Sequence, residues 1–479
     1  MISLLKLLRF LGPTLLFFGT FVVLPPLILS YFNNVTDIRM LYIYLACVTY
    51  SAVVLLTLRQ RKFSYSPKDG FVITFLTWML ISLLASLPFL NIGLVFYDAL
   101  FEAVSGLTTT GSTIIKDLSQ LPDHILIYRQ LLQWAGGVGL VIVVLAIIPA
   151  VSGGMKVLQA ETSGFADKSF SPRLRETARS LLKFYFLITI ACVLSYWLAG
   201  MTWFEAFSHS FSTVSIGGFS IYNENFGYFD NPVIEFVAVF FMLISATNFG
   251  LHFLSFTKRS FKHYLVNDEL KLFLSTVLVV VLTSTLTLYL KEGFSIDNSI
   301  RYGVFQSISI ITTTGFTLEP LSGLGGSVVF LIFIVAFIGA CSGSVGGGMK
   351  VWRILLMFKV GFSNITKIMH PSAISSVKLN GEKIVSSQIE AVFSFIAIYI
   401  SFFLLFMFVL ILQDVDFYSA FSGTAAAINN LGPGLGNFSE NYSVLSDVGK
   451  LTLTLAMIVG RLELLSLIHI SEPTRLTCI

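Results

Sequence analysis

The sequence predicts an all-α polytopic membrane protein, in which four similar helix–loop–helix repeats follow two extra N-terminal transmembrane helices. The first observation behind this prediction is composition. Of the 479 residues, 55% are hydrophobic and only 12% are charged, and the mean hydropathy is +0.84. Soluble domains carry about 25% charged residues, so most of this surface is expected to face lipid. The second observation is a short apolar segment, ending in glycine, that recurs four times.

Ten apolar stretches are candidate spans, since a helix needs about 20 residues to cross a bilayer. Pro25 and Pro26 predict that the first stretch ends there, because proline disrupts a helix interior. The stretches are Phe10–Tyr31, Leu41–Leu58, Phe71–Phe96, Leu131–Met155, Phe184–Met201, Phe236–Thr257, Leu272–Leu290, Gly326–Met349, Ala391–Gln413 and one that begins near Leu451. The predicted units are an N-terminal addition at 1–68, repeats at 69–160, 161–268, 269–387 and 388–464, and a tail at 465–479.

The charges predict the orientation of the chain in the membrane. Most of the 30 basic residues fall in segments that share one side, and the positive-inside rule makes that side cytoplasmic. The opposite side carries acidic residues that include Asp98, Glu102, Asp117 and Glu205. An acidic outer face would concentrate cations at the mouth of a pathway. The alternative is that these external loops simply lack positive charge.

The repeated segment lies between pairs of apolar stretches and is too short to cross the membrane. Its four copies align on Gly111, Gly218, Gly315 and Gly432. They read YDALFEAVSGLTTTGST from Tyr97, FEAFSHSFSTVSIGGFS from Phe204, RYGVFQSISIITTTGFT from Arg301 and YSAFSGTAAAINNLGPG from Tyr418. The string GGMKV also occurs at matching places, 153–157 and 347–351, which supports an internal repeat.

Such a segment predicts a half-helix that enters the membrane and returns as an extended strand, so that four copies surround a central ion pathway. Non-helical backbone at this depth is tolerated only where it is buried or lines water. The C-terminal end of the half-helix is negative and favours a cation, and the strand carbonyls can replace the hydration shell of an ion. Glycine permits the backbone angles required. Ordinary external turns are the alternative, but they leave the shortness of all four segments unexplained.

In these motifs the sequence resembles the Trk/Ktr/HKT superfamily of potassium transporters, most closely the bacterial membrane subunit of the TrkH type. The motifs are TTTGST, STVSIGGFS, TTTGFT, NNLGPGLG, GACSGSVGGGMKVWR and GRLEL, and the resemblance extends to about Leu464. It implies potassium uptake across the bacterial inner membrane by a homodimer with one pore in each protomer. It also implies a cytoplasmic nucleotide-binding regulatory subunit of the TrkA type. Whether conduction is passive or ion-coupled stays open.

The resemblance implies a selectivity filter. The filter residues are Thr109, Thr110 and Gly111, then Ile216, Gly217 and Gly218, then Thr313, Thr314 and Gly315, then Asn430, Leu431 and Gly432. Potassium is expected at Thr110, Gly111, Gly217, Gly218, Thr314, Gly315, Leu431 and Gly432. Serine at the first glycine goes with sodium permeation in this family, so Gly111 implies potassium, with rubidium as a surrogate. Pro433 follows the fourth glycine and makes that loop the least filter-like.

A glycine-rich segment, Gly339–Gly348, is expected to interrupt a helix of the third repeat, since each glycine costs about 1 kcal/mol of helix stability. The resemblance implies an intramembrane gate loop below the filter, and the alternative is a helix-packing surface of small residues. The implied gate residues are Gly343, Ser344, Gly346, Gly347, Gly348, Lys350 and Arg461. A phosphate-binding loop is excluded, because Met349 separates the last glycine from Lys350.

Arg461 lies inside the last apolar stretch, where a charge is a functional hypothesis by default. The resemblance implies a fixed positive charge that faces the pore beside the gate loop. The alternative is a pair with Glu463 or with a backbone carbonyl that holds helices together. Lys350 is a similar case, although it could also anchor a helix end within a basic cluster.

Other classes of function have little support. The enzyme motifs H-E-x-x-H and G-x-S-x-G are absent. An ion-coupled carrier of a small solute is the alternative, but it predicts two halves of opposite topology. No covalently bound cofactor and no nucleic-acid partner are expected; potassium is the substrate and membrane lipid the surroundings. Residues 465–475 match a translated sequencing-library adapter, so an artefactual tail at 465–479 and a final helix truncated near Leu464 are expected.

Overall fold

The computed structural model describes residues 4–35, 37–58, 67–147, 174–371 and 377–462. Most of these residues lie in α-helices. Six of the described helices are long and apolar enough to cross a membrane, and a seventh crossing results if one bent pair counts as a single span. The predicted all-α polytopic class is therefore confirmed.

Two N-terminal spans precede the repeats, as predicted. They consist of α1 (Leu4–Phe18), a π-helical turn (Gly19–Val23) and α2 (Leu24–Phe32), then α3 (Ile38–Leu58). The prediction that Pro25 and Pro26 end the first span is wrong. Both prolines lie in the first turn of α2, where a missing N–H is tolerated. The π-helical turn before them has already changed the hydrogen-bond register.

Each repeat has a long helix, a short helix, a loop and a second helix. The first contains α4 (Pro67–Ser86, continued by a 3₁₀ turn at Leu87–Ile92), α5 (Phe96–Leu107) and α6 (Asp123–Ile147). The second contains α7 (Leu174–Leu198), α8 (Trp203–Ser215), α9 (Pro232–Ala246) and α10 (Phe249–Lys258), followed by α11 (Lys262–Val266). The third contains α12 (Asp268–Leu290), α13 (Ile296–Ile311), α14 (Gly326–Ala336) and α15 (Val351–Met369). The fourth contains α16 (Ser386–Ile411), α17 (Phe417–Ile428) and α18 (Asp447–Arg461).

A small antiparallel hairpin joins the third and fourth repeats. Its strands are β1 (Lys378–Leu379) and β2 (Glu382–Lys383), with Lys378 opposite Lys383. It is the one departure from helix and irregular loops within the described residues.

The short helices α5, α8, α13 and α17 are too short to cross the membrane, and we call them the pore helices. They contain 12, 13, 16 and 12 residues. At 1.5 Å per residue they are about 18–24 Å long, whereas the hydrocarbon core is about 30 Å thick. Each therefore ends inside the membrane, and the chain must return from that depth.

The second helix of the second repeat is bent, so the predicted continuous span Phe236–Thr257 is wrong. Helices α9 and α10 meet at 93°. The Asn248 side chain accepts a hydrogen bond from Gly250 N at 2.8 Å and so starts a new helix. The carbonyl of Ala246, at the end of α9, accepts a hydrogen bond from Cys341 N at 3.0 Å. At the bend, the Asn248 side chain therefore pairs with an N–H at the start of α10, and Cys341 N pairs with a carbonyl at the end of α9.

The predicted span Gly326–Met349 is also interrupted, as its glycine content indicates. Helix α14 ends at Ala336 and α15 begins at Val351, and residues 337–350 between them form turns and bends. We call residues 337–350 the glycine-rich stretch. The predicted span Leu131–Met155 begins within α6 and runs beyond the described residues.

The outward faces of the long helices are apolar. On α12, Leu274, Leu278, Leu282 and Leu286 recur every fourth residue and are each about half exposed. This spacing places them on one face of the helix. Continuous apolar faces of this length are rare on soluble proteins, and they indicate contact with lipid.

Replacement of Asn248 by alanine is expected to destabilise the bend between α9 and α10. Loss of a helix N-cap costs about 1 kcal/mol, so the midpoint of thermal unfolding of the purified protein should fall. Asn248→Asp keeps an acceptor for the same N–H groups and should retain the midpoint. Equal midpoints for the wild type and Asn248→Ala would contradict this role.

Candidate ion pathway

The four pore helices end in the same backbone geometry. Two positions before each aligned glycine the backbone is left-handed, with φ of 55° at Thr109, 56° at Ile216, 63° at Thr313 and 51° at Asn430. The next residue donates its N–H to the carbonyl five positions earlier, at 2.8–2.9 Å: Thr110 to Ser105, Gly217 to Ser212, Thr314 to Ser309 and Leu431 to Ala426. This pair of features is a Schellman motif. The repeat seen in the sequence is therefore also a repeat of the backbone.

Three of these left-handed residues are β-branched, namely Thr109, Ile216 and Thr313. Glycine is the usual residue at this position of the motif, and left-handed backbone costs another residue roughly 1–2 kcal/mol. All three side chains are almost completely buried. Such strain persists only where packing over-determines it, and it is concentrated at functional sites.

The four aligned glycines form a closed ring. Their φ angles are +85° at Gly111, +81° at Gly218, +85° at Gly315 and +98° at Gly432. A methyl group built on each would lie closer than 3.0 Å to a carbonyl oxygen of a different loop: Gly217 for Gly111, Thr314 for Gly218, Leu431 for Gly315 and Thr110 for Gly432. Each loop thus contacts the next in chain order, and the fourth contacts the first. The ring has no room for a side chain at these positions.

Threonine hydroxyls support two of the loops in an equivalent way. In the first loop the Thr108 and Thr110 hydroxyls are 2.7 Å apart, and in the third loop the Thr312 and Thr314 hydroxyls are 2.8 Å apart. The fourth loop connects to the first through Asn430, whose Nδ2 donates to Thr110 Oγ1 at 3.0 Å. Its backbone follows the other three despite Pro433.

Two residues that the sequence reasoning missed also support the loops. Gln133 on α6 donates from Nε2 to Gly217 O at 2.6 Å and accepts from Phe219 N at 3.2 Å. The Tyr442 hydroxyl donates to Gly432 O at 3.0 Å. Gln133 could have been found as a polar residue within an apolar span. Tyr442 lies in the irregular segment between α17 and α18, where a tyrosine carries no such signal.

The acidic outer face is smaller than the sequence predicts. The prediction is wrong for Glu102, which is 0% exposed and forms an ion pair with Arg129 at 2.8 Å. Asp117 does remain partly exposed, and hydrogen bonds led by the one from Asn223 lower its pKa to about 2. Asp117 is therefore ionised at neutral pH, whereas the charge of Glu102 is compensated inside the protein.

The glycine-rich stretch lies against the ends of two pore helices. Gly347 donates its N–H to Thr313 Oγ1 at 2.7 Å, and a methyl group built on Gly347 would clash with Asn429 O. A methyl group built on Gly346 would lie 2.9 Å from Thr312 O. Thr312 and Asn429 directly follow α13 and α17 and are the C-cap residues of these two pore helices. Glycine at 346 and 347 is what allows this approach.

The other glycines and the serine assigned to the gate occupy different places. Gly343 accepts a hydrogen bond at 3.1 Å from the first N–H of α10. Ser344 closes a turn within the stretch by donating from Oγ to Cys341 O at 2.5 Å. Gly348 packs against Gly339: a methyl group built on Gly348 would lie 2.6 Å from Gly339 Cα. Gly343 thus contacts the bend in the second repeat.

Arg461 and Lys350 both donate to carbonyls of the glycine-rich stretch. Arg461 Nη1 donates to Val345 O at 2.7 Å, and its Nη2 donates to Gly136 O on α6 at 3.0 Å. Lys350 Nζ donates to a carbonyl within the same stretch. Both side chains are buried. The carbonyl pairing foreseen as one alternative for Arg461 is observed, and one of its two carbonyls belongs to the stretch assigned to the gate. Glu463 lies outside the described residues.

The convergence of four pore helices on one ring determines what the site can do. The carbonyl ends of the helices carry negative partial charge and favour a cation. Carbonyl oxygens around a narrow pathway can replace the hydration shell of an alkali ion. Among the described residues, no group of three His, Cys, Asp or Glu side chains is placed to hold a metal. The available ligands at the ring are backbone and hydroxyl oxygens.

A membrane-spanning helical protein with four pore helices around one ring is a cation transport protein of the pore-loop class. The chain belongs to the TrkH family, whose sequence model is described as a cation transport protein and matches residues 38–472. The resemblance drawn from the motifs is thereby confirmed, as is the prediction that the protein is not an enzyme.

Relatives match this chain over nearly its whole length. It is 38% identical to the Trk system potassium uptake protein TrkH of Halomonas elongata, over 98% of this chain and 99% of the relative. It is 37% identical to the protein of the same name from Escherichia coli K12, over 97% and 98%. The crystal structure of the potassium transporter TrkH from Vibrio parahaemolyticus is similar with a TM-score of 0.89 at 36% identity, over 98% of this chain and 99% of that chain.

Proposed function

We propose that this chain carries potassium ions into a bacterial cell through the ring of four glycines. The observation that supports this most directly is the ring itself, in which four loops of one backbone geometry meet at Gly111, Gly218, Gly315 and Gly432. Relatives that match at nearly full length are named potassium uptake proteins. Potassium is the substrate in this proposal, and no covalently bound cofactor takes part.

The filter consists of the three residues that end at each ring glycine. In this proposal, potassium is held by oxygens of Thr110, Gly111, Gly217, Gly218, Thr314, Gly315, Leu431 and Gly432. The left-handed residues Thr109, Ile216, Thr313 and Asn430 turn the chain so that these oxygens reach the pathway. The shared Schellman hydrogen bonds support this equivalence.

The glycine-rich stretch is the gate in this proposal. It is supported by the contacts of Gly346 and Gly347 with the ends of α13 and α17, which place it next to the ring. Arg461 and Lys350 hold its carbonyls. Gly343, Ser344 and Gly348 shape the rest of the stretch, and conduction requires it to move away from the pore helices.

The names of its relatives support a proposal for the location and the partners of the chain. They are proteins of the Trk system, a name that implies more than one component. We therefore place this chain in the bacterial inner membrane, and we propose, as the resemblance of its motifs implies, that it forms a homodimer. A cytoplasmic nucleotide-binding subunit of the TrkA type would move the gate.

Rubidium uptake in a bacterial strain without its own potassium uptake systems tests the proposal. The chain should restore growth at low potassium and take up rubidium when a matched cytoplasmic subunit is supplied. Gly111→Ser should lower rubidium uptake at least about 100-fold, equivalent to about 2.8 kcal/mol, because a side chain there would lie closer than 3.0 Å to Gly217 O. Gly93→Ser is the control, since Gly93 also has a positive φ (+87°) but no atom within 4 Å of an added Cβ.

Two versions of the chain should be compared in this experiment. One is the chain as it stands, and the other has residues 465–479 replaced by the matching segment of the Escherichia coli relative. Membrane accumulation of both without growth or rubidium uptake would refute the potassium proposal. The ion-coupled solute carrier would then become the favoured function.

A further inference from the structure

One position of the pore helices connects each helix to the chain that follows the ring. It lies nine residues before the ring glycine and is occupied by Glu102, His209, Gln306 and Gly423 in the four repeats. In the second repeat, His209 Nε2 is 3.1 Å from Ser220 Oγ. In the third, Gln306 Nε2 donates to Glu319 O at 2.8 Å.

The fourth repeat makes the same connection without a side chain at this position. An added Cβ at Gly423 would lie 2.7 Å from the ring of Phe438. Phe438 stacks on Tyr442 with centroids 4.9 Å apart, and the Tyr442 hydroxyl donates to Gly432 O at 3.0 Å. In three repeats, therefore, an imidazole, an amide or a pair of stacked aromatic rings connects the pore helix to the chain that follows the ring.

Only the first repeat uses a carboxylate, and Glu102 has partners on two structural elements. Its Oε2 accepts from Thr113 Oγ1 and from Ile114 N, each at 3.0 Å, two and three residues after the first ring glycine. Its Oε1 accepts from Arg129 Nε on α6 at 2.8 Å. Glu102 and Arg129 are 0% and 1% exposed.

Arg129 extends this contact into the second loop. Its Nη1 donates to Ser220 O at 3.0 Å, and its guanidinium lies 4.1 Å from the ring centroid of Phe219. Nη2 lies 3.3 Å from Thr113 Oγ1. Phe219 directly follows the second ring glycine. The ion pair therefore joins the first loop to the second at the point where their glycines meet.

A purely structural role does not account for the use of charge here. Burial of two charges is unfavourable unless geometry and hydrogen bonding are excellent, and the other repeats make their connection without an arginine. Helices α5 and α6 already approach closely elsewhere: a Cβ built on Gly106 would lie 2.9 Å from Leu132 Cβ. What the guanidinium adds is a planar set of donors that binds two loops at once.

We propose that Glu102 and Arg129 form a positioning pair that sets the spacing of the first and second loops and thereby the discrimination between potassium and the smaller sodium ion. Discrimination depends on the size of the carbonyl cage and on the dipoles that line it. A rigid contact behind two of the four loops restricts both. This inference rests on the proposed function, because it concerns selection of an ion by the same ring.

The experiment measures the sodium concentration that halves rubidium uptake by the full chain. This half-inhibiting sodium concentration does not depend on how much protein reaches the membrane, so a loss of stability alone does not change it. The double variant Glu102→Gln/Arg129→Gln removes both charges and leaves no unpaired buried ion. Thr113→Val keeps both charges but removes the hydroxyl between them.

The matched control is the double variant Glu235→Gln/Arg301→Gln. This pair joins the second and third repeats, since Arg301 on the third pore helix binds Glu235 on α9, whereas Glu102 and Arg129 both belong to the first repeat. Its remaining ion pair runs to Asp230, which is not a loop residue of the ring. It therefore matches the first pair in charge and in connection between elements, but not in contact with the loops.

We expect the sodium concentration to fall about tenfold in the Glu102/Arg129 double variant, equivalent to about 1.4 kcal/mol, and about threefold in Thr113→Val. The control should keep the wild-type value. If the double variant does not accumulate, Thr113→Val decides the question. Wild-type values in Thr113→Val, or an equal fall in the control, would overturn the inference. A wild-type chain that takes up no rubidium would instead refute the proposed function.

Discussion

Gly315→Ala is expected to lower the initial rate of rubidium uptake at least about 100-fold, equivalent to about 2.8 kcal/mol. The added methyl group would lie closer than 3.0 Å to Leu431 O and 2.7 Å from Pro433 Cδ. Neither the peptide nor the proline ring is a flexible side-chain end that could move away. The third and fourth loops must separate, and the pathway loses the carbonyl spacing on which binding depends. Uptake is measured per amount of protein in the membrane.

Gly293→Ala is the matched control for this prediction. Gly293 lies in the same repeat and also has a positive φ, +76°, but no atom lies within 4 Å of an added Cβ. Both variants therefore carry the backbone cost of a left-handed alanine, roughly 1–2 kcal/mol, and only Gly315→Ala adds the clash. Near-normal uptake by Gly315→Ala, or the same loss in Gly293→Ala, would show that the ring is not the pathway.

Arg461→Gln is expected to release the proposed gate. Its guanidinium connects Val345 O of the glycine-rich stretch to Gly136 O of α6. A hydrogen bond from a charged donor contributes about 1.5–3 kcal/mol, so the loss of two should shift the gate toward its open state. We expect rubidium uptake without the cytoplasmic subunit to rise about tenfold or more. The measurement compares cells with and without that subunit.

Arg461→Lys separates two roles of this side chain. Lysine keeps the positive charge beside the pathway, but its single ammonium group cannot reproduce the forked geometry that reaches two carbonyls. If hydrogen bonding holds the gate, Arg461→Lys should behave like Arg461→Gln. If the charge itself limits conduction, Arg461→Lys should behave like the wild type. Wild-type uptake in both variants, with and without the subunit, would exclude Arg461 from gating.

Much of the architecture could be predicted from the sequence because it is encoded locally. Spans follow from apolar runs of sufficient length, and the loops follow from glycines at equivalent places, such as Gly111 and Gly315. The interruption at 337–350 follows from local glycine content in the same way. Each of these features depends on residues within one or two helical turns.

The wrong predictions are those in which a residue was judged without its neighbours in space. Pro25 and Pro26 continue a span because a π-helical turn precedes them. The span near Asn248 bends because that side chain caps a new helix, and because Cys341 N, from a distant segment, donates a hydrogen bond to Ala246 O at the bend. Glu102 looked like an external acid, yet Arg129 compensates its charge in the interior.

By itself, then, the sequence determined the membrane class, the number of repeats and the position of each ring glycine. Only the tertiary structure decided that each loop contacts the next in chain order, that Gln133 supports a loop 84 residues away, and that Arg461 joins two helices to the glycine-rich stretch. The physical reason is that turns and spans depend on local backbone preference and hydropathy. A contact between distant side chains depends on the packing of the whole chain, which no local pattern specifies.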